Sequence, residues 1–398
     1  MKAVILAAGE GRRCRPLTQT RSKVMLPVGN RPFLEHVIRA LAVNGIEDLL
    51  VVVGYQKERI MNHFEDGLHY GVRMEYFHQH ETLGTAHALK TVRSKIDDEF
   101  LVLNGDNLVD GRAIHDLLSA DGDNVILAVL GNHSGDYGVL SVEGDCVTRI
   151  VEKPGKPCAG ILNTGAYRFS PNIFDELDKT PISDRGSYEL TQTVGRLIDS
   201  GKDVRAKITS GTWSDAIFAW DLLMANSLAF DLDEMRVDGE IEDGARIRGV
   251  VGVGKGSVIR SGTYIIGPVS VGRNCDIGPN ATILPTTSIS DSVRIGSSSE
   301  IRNSIVMSGS RIGSGTIVTD SVIGSSCTLG DQVMLETGSS LVEVEDLILR
   351  AEFGAILADG VVASGRAFMH PGTLIGATSR IGPGAVLRGW IDRGSRVI

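Results

Sequence analysis

From Ile241 onward a β-branched residue recurs at every sixth position: Ile241, Ile247, Val253, Ile259, Ile265, Val271, Ile277, Ile283, Ile289, Ile295 and Ile301. After a one-residue slip the series resumes at Val306, Ile312 and Val318. After another it runs through Ile323, Leu329, Leu335 and Leu341, and it returns as Ile375, Ile381 and Leu387. An antiparallel sheet gives period two, but would not place the bulky residue at every third inward position for so long. Hexapeptide repeats of this kind stack into a parallel β-helix, in which each short strand sends one branched side chain into the coil while glycines and small residues make the corners. Glycine follows the repeat: 25 of the 48 glycines lie in residues 241–398.

The first 230 residues read differently. Residues 3–8, 49–53, 101–103 and 125–129 are short apolar runs bounded by turn residues and are predicted to be buried strands. Between them, residues 32–43 place Phe33, Val37, Ile38 and Leu41 on one helical face, with Pro32 suited to the first turn and Gly45 to the stop. Strands alternating with helices imply a mostly parallel sheet covered on both faces, whose ligands bind at the carboxyl ends of the strands. The expected organisation is therefore an α/β Rossmann-like domain over residues 1–230, a linker over 231–240, and an all-β domain over 241–398. The repeats resemble those of the left-handed parallel β-helix. Three of them complete one triangular coil in that fold, which implies roughly eight coils. Such solenoids offer flat sides to neighbours and are commonly trimers, so a homotrimer or a trimer-based oligomer is expected.

Charge divides the chain at the same place. Residues 241–398 carry 14 Lys+Arg and 14 Asp+Glu, so the net charge of −9 lies wholly in the first 240 residues, with 26 and 35. A broadly acidic surface argues against a nucleic-acid partner, which needs a clustered basic field. Any anionic ligand must then be held by local cations. The five cysteines, Cys14, Cys146, Cys158, Cys275 and Cys327, have neither disulfide-scaffold nor zinc-site spacing, so reduced and mostly buried thiols are expected. The apolar start is interrupted by Gly9-Glu10-Gly11-Arg12-Arg13 before signal-peptide length, and no run reaches 18 apolar residues. No membrane partner and a cytoplasmic location are the expectations.

Gly9-Glu10-Gly11, directly after the first predicted strand, suggests a turn whose N–H groups cradle phosphate. It is not a dinucleotide fingerprint, because position 14 is Cys14, and no Gly-Lys-Ser/Thr succeeds it as in a P-loop. The longer string around it is more specific. Leu6-Ala7-Ala8-Gly9-Glu10-Gly11-Arg12-Arg13-Cys14-Arg15-Pro16-Leu17-Thr18 and then Lys23-Val24-Met25-Leu26-Pro27-Val28 closely resemble the signature of sugar-1-phosphate nucleotidylyltransferases. Gln79 before Gly84-Thr85-Ala86, Gly105-Asp106, Glu152-Lys153-Pro154 before Asn163-Thr164-Gly165, and Trp213-Ser214-Asp215 before Asp221-Leu222-Leu223 and Asn226 continue the resemblance in family order.

The resemblance implies a Mg²⁺-dependent reaction in which an oxygen of a sugar-1-phosphate attacks the α-phosphorus of UTP or dTTP and pyrophosphate leaves. Positioning and charge neutralisation are the main tasks in such chemistry, since the substrate brings its own nucleophile. By resemblance, Arg13 and Lys23 hold the triphosphate and Lys153 faces the sugar phosphate. Asp106 and Asp215 share a Mg²⁺, a hard cation that prefers carboxylate and phosphate oxygens. Leu6, Ala8, Gly9 and Gly11 line the nucleotide, Gln79 reads the base edge, and Gly84 and Thr85 support it. Gly138, Glu152 and Asn163 meet the sugar, although Glu152 could instead form a structural salt bridge to an arginine. A lone strand-end aspartate is more often a turn or N-cap residue. It is the ordered set of motifs that favours the metal.

A nucleotidylyltransferase followed by a hexapeptide β-helix resembles the bifunctional archaeal sugar-1-phosphate nucleotidylyltransferase/acetyltransferases. Arg350-Ala351-Glu352-Phe353-Gly354-Ala355-Ile356-Leu357-Ala358-Asp359-Gly360-Val361 and His370-Pro371-Gly372 extend the match, with Glu352 where those proteins usually carry Lys. Their acetyl-transfer site uses a histidine as general base. Here the corresponding stretch is Asp320-Ser321-Val322-Ile323-Gly324, followed by Gly330-Asp331-Gln332-Val333 and Glu336. His370 is the only histidine after residue 133 and is expected at a coil corner. An aspartate is a poor base at neutral pH unless burial raises its pKa, so acetyl transfer is expected to be lost or much reduced. A bifunctional enzyme remains the second reading and a non-catalytic regulatory or scaffold subunit the third. Retention of Arg13, Lys23, Asp106, Lys153 and Asp215 weighs against the third.

Overall fold

A computed structural model describes residues 1–131, 135–155, 159–230, 236–345 and 347–398. Cys158 and residues 231–235 of the expected linker lie outside them. Cα proximity divides the chain into two compact units that do not follow chain order. One contains Met1–Glu10 and Phe33–Ser214, the other Gly11–Pro32 and Asp215–Ile398.

In the second unit the six-residue spacing closes into a left-handed β-helix with three parallel faces of nine, eight and eight strands. Glu240 pairs with Val258 and Val258 with Asp276, a step of eighteen residues per coil. Where the ladder slips, as from Ile289 to Val306, one coil is a residue shorter. From Val253 to Leu335 the ladder residues are all at most 3% exposed. Full burial of such a side chain stabilises by about 1.5–3 kcal/mol, so the column is the main source of this unit's cohesion. Two residues before each stands a second inward residue, in many coils a smaller one such as Ser257, Cys275, Ala281, Ser299 or Ser310, nearly or fully buried. The serines among them stay satisfied by donating to the next coil, Ser299 Oγ to the Gly313 carbonyl at 2.7 Å and Ser310 Oγ to that of Gly324 at 2.7 Å. The glycine that often follows a ladder residue has a steric cause: a Cβ on Gly254 would lie 2.6 Å from backbone atoms of Gly272.

The ladder needs one correction. Leu341 does not face the coil interior but is 69% exposed. It lies in an antiparallel hairpin of Ser339–Val344 and Leu347–Glu352 that leaves the coil, so that Thr328 pairs with Val362, thirty-four residues on. The hairpin buries Val342, Val344 and Ala351 with period two. The six-residue column resumes at Leu357, Ala363 and Met369, ahead of Ile375. Ala363 and Met369 are not among the Ile, Val and Leu that mark the ladder elsewhere, which is why the pattern looks interrupted in the sequence.

The first unit is built on a nine-stranded sheet. In chain order its strands are β1 Lys2–Ala7, β2 Asp48–Val53, β3 Arg73–His78, β4 Phe100–Asn104, β5 Val125–Gly131, β6 Val139–Glu143, β7 Cys146–Val151, β8 Gly160–Phe169 and β9 Arg205–Ile208. They lie in the order β3-β2-β1-β4-β8-β5-β9-β7-β6. The four strands from β3 to β4 are parallel. Only β8 and β7 run against the rest of this sheet. The mostly parallel α/β expectation therefore holds, with antiparallel insertions in one half. Helix α1, Phe33–Ala42, buries Phe33, Val37, Ile38 and Leu41 completely, and the chain turns away after it at Gly45, with φ +74°. Pro32 is not in its first turn; it pairs with Pro27 in a two-stranded ribbon of the other unit. Among the described residues, no helix is long and apolar enough to cross a membrane. Cys14, Cys275 and Cys327 are buried and Cys146 is exposed. Burial pushes the Cys327 thiol up to about 12, leaving it unreactive.

Candidate active site

In the α/β unit the parallel strands end side by side. Ala7 of β1 is opposite Val53 of β2, Leu6 is opposite Asn104 of β4, and Val53 is opposite His78 of β3. The residues just beyond these ends therefore share one edge of the sheet: Ala8 and Gly9 after β1, Asp106 after β4, Gln79 after β3. This is the edge at which open parallel sheets take ligands. Leu6 and Ala8 are buried and Gly9 is exposed. Gly105 N–H donates to the Leu6 carbonyl at 2.9 Å, which holds the turn before the half-buried Asp106. The N-cap of the next helix is not Asp106 but Asp110. Its carboxylate accepts from Ala113 N–H of helix α2, Gly111–Ser119, and from Thr212 N–H, both at 2.8 Å.

Gln79 is buried, and its amide nitrogen donates to the Gly84 carbonyl at 3.2 Å and lies 2.9 Å from His87 Nδ1. Gln79 thus braces the loop that contains Gly84. That loop requires glycine: φ is +110°, and a Cβ would clash with the Tyr188 carbonyl. Thr85 Oγ1 accepts from Leu190 N–H at 3.0 Å.

Gly138, Glu152 and Asn163 converge. A Cβ on Gly138 would lie 3.1 Å from Glu152 Oε2 and 3.3 Å from Asn163 Cβ, so glycine keeps a recess open between the carboxylate and the amide. Asn163 is oriented from both ends, donating to Tyr167 Oη at 2.7 Å and accepting from Gly165 N–H at 3.0 Å. Burial raises the Tyr167 phenol's pKa, so it stays protonated. Glu152 also pairs with Arg185 at 3.4 Å, and Arg185 bonds Glu189 as well. The salt bridge weighed from sequence thus exists, and it leaves the carboxylate at the recess. Lys153, next in sequence, is exposed with φ +43°. Nearby, Tyr137 meets Trp213 edge-on at 5.4 Å, and Trp213 Nε1 donates to the Thr164 carbonyl at 3.1 Å. Tyr137, Leu162 and Trp213 line a cleft of about 520 Å³.

Gly11, Arg13, Lys23 and Asp215 belong to the other unit. Gly11 has φ +71°, and a Cβ there would come 2.6 Å from Lys23 Cβ, so glycine permits the lysine to cross close to the loop. Lys23 Nζ donates to Asp215 Oδ1 at 2.6 Å, with side chains 10% and 21% exposed. Arg13 lies over the Phe218 ring at 5.8 Å and 3.8 Å from Glu345 Oε2. Sequence reasoning gives no role to Asp221, the first residue of helix α3, Asp221–Ala229, whose carboxyl is pushed up to about 6. Burial is the largest cause; the Phe218 N–H works against it and the charge of Asp215 adds to it.

On the β-helix, Asp320 is engaged structurally. Its carboxylate accepts from Asn303 Nδ2 at 2.7 Å and from Thr337 Oγ1 at 2.5 Å, forming a ladder across coils. His370 follows the strand Phe368–Met369, and its Nδ1 lies 3.3 Å from Glu336 Oε2, both side chains being more than two-fifths exposed.

Comparisons with known proteins identify the family. The nucleotidyl transferase family matches residues 2–227, and the family described as GMPPB C-terminal domain matches residues 265–364. The bifunctional protein GlmU of Methanococcus maripaludis is 34% identical over all of this chain and 97% of its own length. The glucose-1-phosphate thymidylyltransferase of Streptomyces griseus is 34% identical over 68% of this chain and 78% of its own. Among solved structures, a Bacillus anthracis protein assigned as a glucose-1-phosphate thymidylyltransferase, crystallised with a sucrose, superposes with a TM-score of 0.54. It is 26% identical and covers 59% of this chain and 98% of its own. The chain belongs to the nucleotidyl transferase family, with the family's α/β domain followed by a C-terminal left-handed β-helix.

Proposed function

We propose that this protein transfers a nucleotidyl group from UTP or dTTP to a sugar-1-phosphate, giving a nucleotide-sugar and pyrophosphate. The observation that carries the substrate class is the recess at Gly138, in which a carboxylate and an oriented amide stand ready to bond sugar hydroxyls. The Streptomyces relative's name adds weight to dTTP and glucose-1-phosphate. In the reaction a sugar-phosphate oxygen bonds to the α-phosphorus while the bond to the β-phosphate oxygen breaks. Arg13 and Lys23 neutralise the triphosphate and the leaving pyrophosphate, and Lys153 steadies the incoming phosphate. Gln79, Gly84 and Thr85 form the base-binding side. Leu6, Ala8, Gly9 and Gly11 line the nucleotide, and Glu152 and Asn163 the sugar.

The family uses a divalent metal, and Asp106 and Asp215 offer hard oxygen donors suited to Mg²⁺, which takes one or two carboxylates and completes its shell with phosphate oxygens and water. When bound, the ion supplies positive charge against the phosphates. The test is pyrophosphate release from four triphosphates against glucose-, glucosamine-, N-acetylglucosamine- and galactose-1-phosphates. Asp106→Ala and Asp215→Ala should each abolish turnover of the preferred pair; undiminished rates would refute the metal assignment.

Acetyl transfer is a second reading, favoured by the Methanococcus relative's description as bifunctional. The bonds that occupy Asp320 support its loss or strong reduction here. Robust release of free CoA from acetyl-CoA with glucosamine-1-phosphate or galactosamine-1-phosphate would refute that loss. The flat β-helix faces and exposed Val250, Val386 and Trp390 support a homotrimer, for light scattering to check, and the cytoplasm as its compartment completes the proposal.

A further inference from the structure

The segment Gly11–Pro32 carries Arg13 and Lys23, yet many of its anchors are residues of the β-helix. Gln19 Oε1 accepts from Ala377 N–H at 2.8 Å. Thr20 Oγ1 donates to Asp359 Oδ2 at 2.6 Å, and the Arg21 guanidinium donates to both Asp359 oxygens at 2.5 and 2.6 Å and to Ser325 Oγ at 2.8 Å. Ser325 N–H completes the cluster on Asp359 Oδ1 at 2.8 Å. At the other end Asn30 donates to Ser270 Oγ at 2.9 Å and to the Ile289 carbonyl at 3.0 Å, and accepts from Ser290 Oγ at 3.0 Å. Asn226 of α3 accepts from Gly29 N–H and donates to the Thr286 carbonyl, both at 2.9 Å. Segment, helix and coils all belong to one compact unit.

The ion pair at the centre of this set is an uneconomical way to gain stability alone. The Arg21 and Asp359 side chains are only 6% and 18% exposed, and desolvating two charges consumes much of what pairing returns. Arg21 Nε is also buried without a hydrogen-bond partner, a defect that calls for a reason. Burial works to raise the Asp359 pKa. The charge of Arg21 and the bonds from Arg21, Thr20 and Ser325 outweigh it and hold the carboxyl below its ordinary value. Arg21 stands two residues before Lys23, separated by the fully buried Ser22, so a fixed Arg21 fixes the backbone from which Lys23 projects.

We propose that Asp359, on the β-helix, is a positioning residue for the triphosphate: through Thr20 and Arg21 it holds the turn that presents Lys23. The β-helix then supports the turn that carries Lys23 as well as serving as a scaffold for oligomers. The inference rests on the nucleotidyl-transfer reading for what Lys23 contacts, and on the hydrogen bonds above for what holds it.

The test compares full-length wild type with Asp359→Asn, which removes the carboxylate charge and leaves Arg21 unpaired, and with the double variant Arg21→Met/Asp359→Leu, which removes both charges together. Three quantities are read: melting temperature, amide hydrogen exchange across residues 11–32, and separate KM values for triphosphate and sugar-1-phosphate. Both variants should exchange faster in 11–32 and show a triphosphate KM raised about tenfold, with the sugar-phosphate KM within about twofold of wild type. The double variant should recover the wild-type melting temperature and still keep the raised KM, because apolar replacement relieves the unpaired charge without restoring the tether. Unchanged exchange in 11–32, or a KM that returns with the melting temperature, would overturn the proposal. Should the wild type release pyrophosphate from no triphosphate, the functional reading fails by itself, and the exchange result still decides whether Asp359 holds the turn.

Discussion

The β-helix and the α/β sheet reach burial by opposite routes. In the coil, one inward position recurs about every six residues and tolerates Ile, Val, Leu, Met or Ala, as at Ile301, Val318, Leu335, Met369 and Ala363. In the sheet unit each site residue has its own surroundings, as with Gly84 against Tyr188 or Asn163 between Tyr167 and Gly165. A repeated instruction makes an architecture robust and easy to recognise, but it says little about chemistry. Specific roles arise where the repetition stops: at the hairpin after Leu335, at Asp320 in its ladder, and at Asp359 facing a segment from far upstream.

That contrast can be broken in graded ways. The largest effect is expected at a single irreplaceable position. Lys23→Ala removes a cation assigned to the triphosphate and strands Asp215, so kcat/KM for pyrophosphate release should drop about a hundredfold to a thousandfold. A drop of less than tenfold in a steady-state assay would place the charge elsewhere. For the ladder, Ile301→Ala leaves a cavity in a closed coil and should cost about 2–5 kcal/mol in urea unfolding. A cost below about 1 kcal/mol would mean that the stacked coils collapse around the gap.

A smaller effect depends on pH. The Asp221 carboxyl is pushed up to about 6 in the fold, above its ordinary 3.8, so the folded state holds that proton more tightly than the unfolded chain does. The group therefore favours folding below about pH 4, and its contribution is lost as pH rises through about 6. In EDTA, Asp221→Asn should gain up to about 3 kcal/mol over wild type at pH 7.5 and nothing at pH 4. Equal differences at both pH values would show that the effect is not titration. The smallest change is Ser299→Ala, which removes a buried hydroxyl that donates to the Gly313 carbonyl and accepts from Thr316 N–H, and should cost about 1–2 kcal/mol.

The parts legible in sequence are those written with a period or in an ordered string. The column from Val253 to Leu335 is visible because bulky residues repeat with so few slips. The recess residues Gly138, Glu152 and Asn163 can be picked because their motifs stand in family order, and the structure brings them together. Ala363 and Met369 escape because the coil interior asks for volume and apolarity, whereas the pattern is read from Ile, Val and Leu. Leu341 misleads because it stands six residues after Leu335 although the chain has already left the coil for the hairpin there. Asp221 escapes because its shift comes from burial, which a lone aspartate at a helix start does not announce. Arg21 and Asp359 have no local signal at all, being 338 residues apart.

The division of the chain into units bears on how such proteins can be recombined. Because Gly11–Pro32 belongs with Asp215–Ile398, a chimaera cut near residue 240 would set Gln19, Thr20, Arg21 and Asn30 opposite a foreign coil. The inheritable module is then discontinuous: a β-helix exchanged between relatives should carry its own copy of residues 11–32 with it. Drift in the two stretches would have to be correlated, at Arg21 and Asp359 before anywhere else.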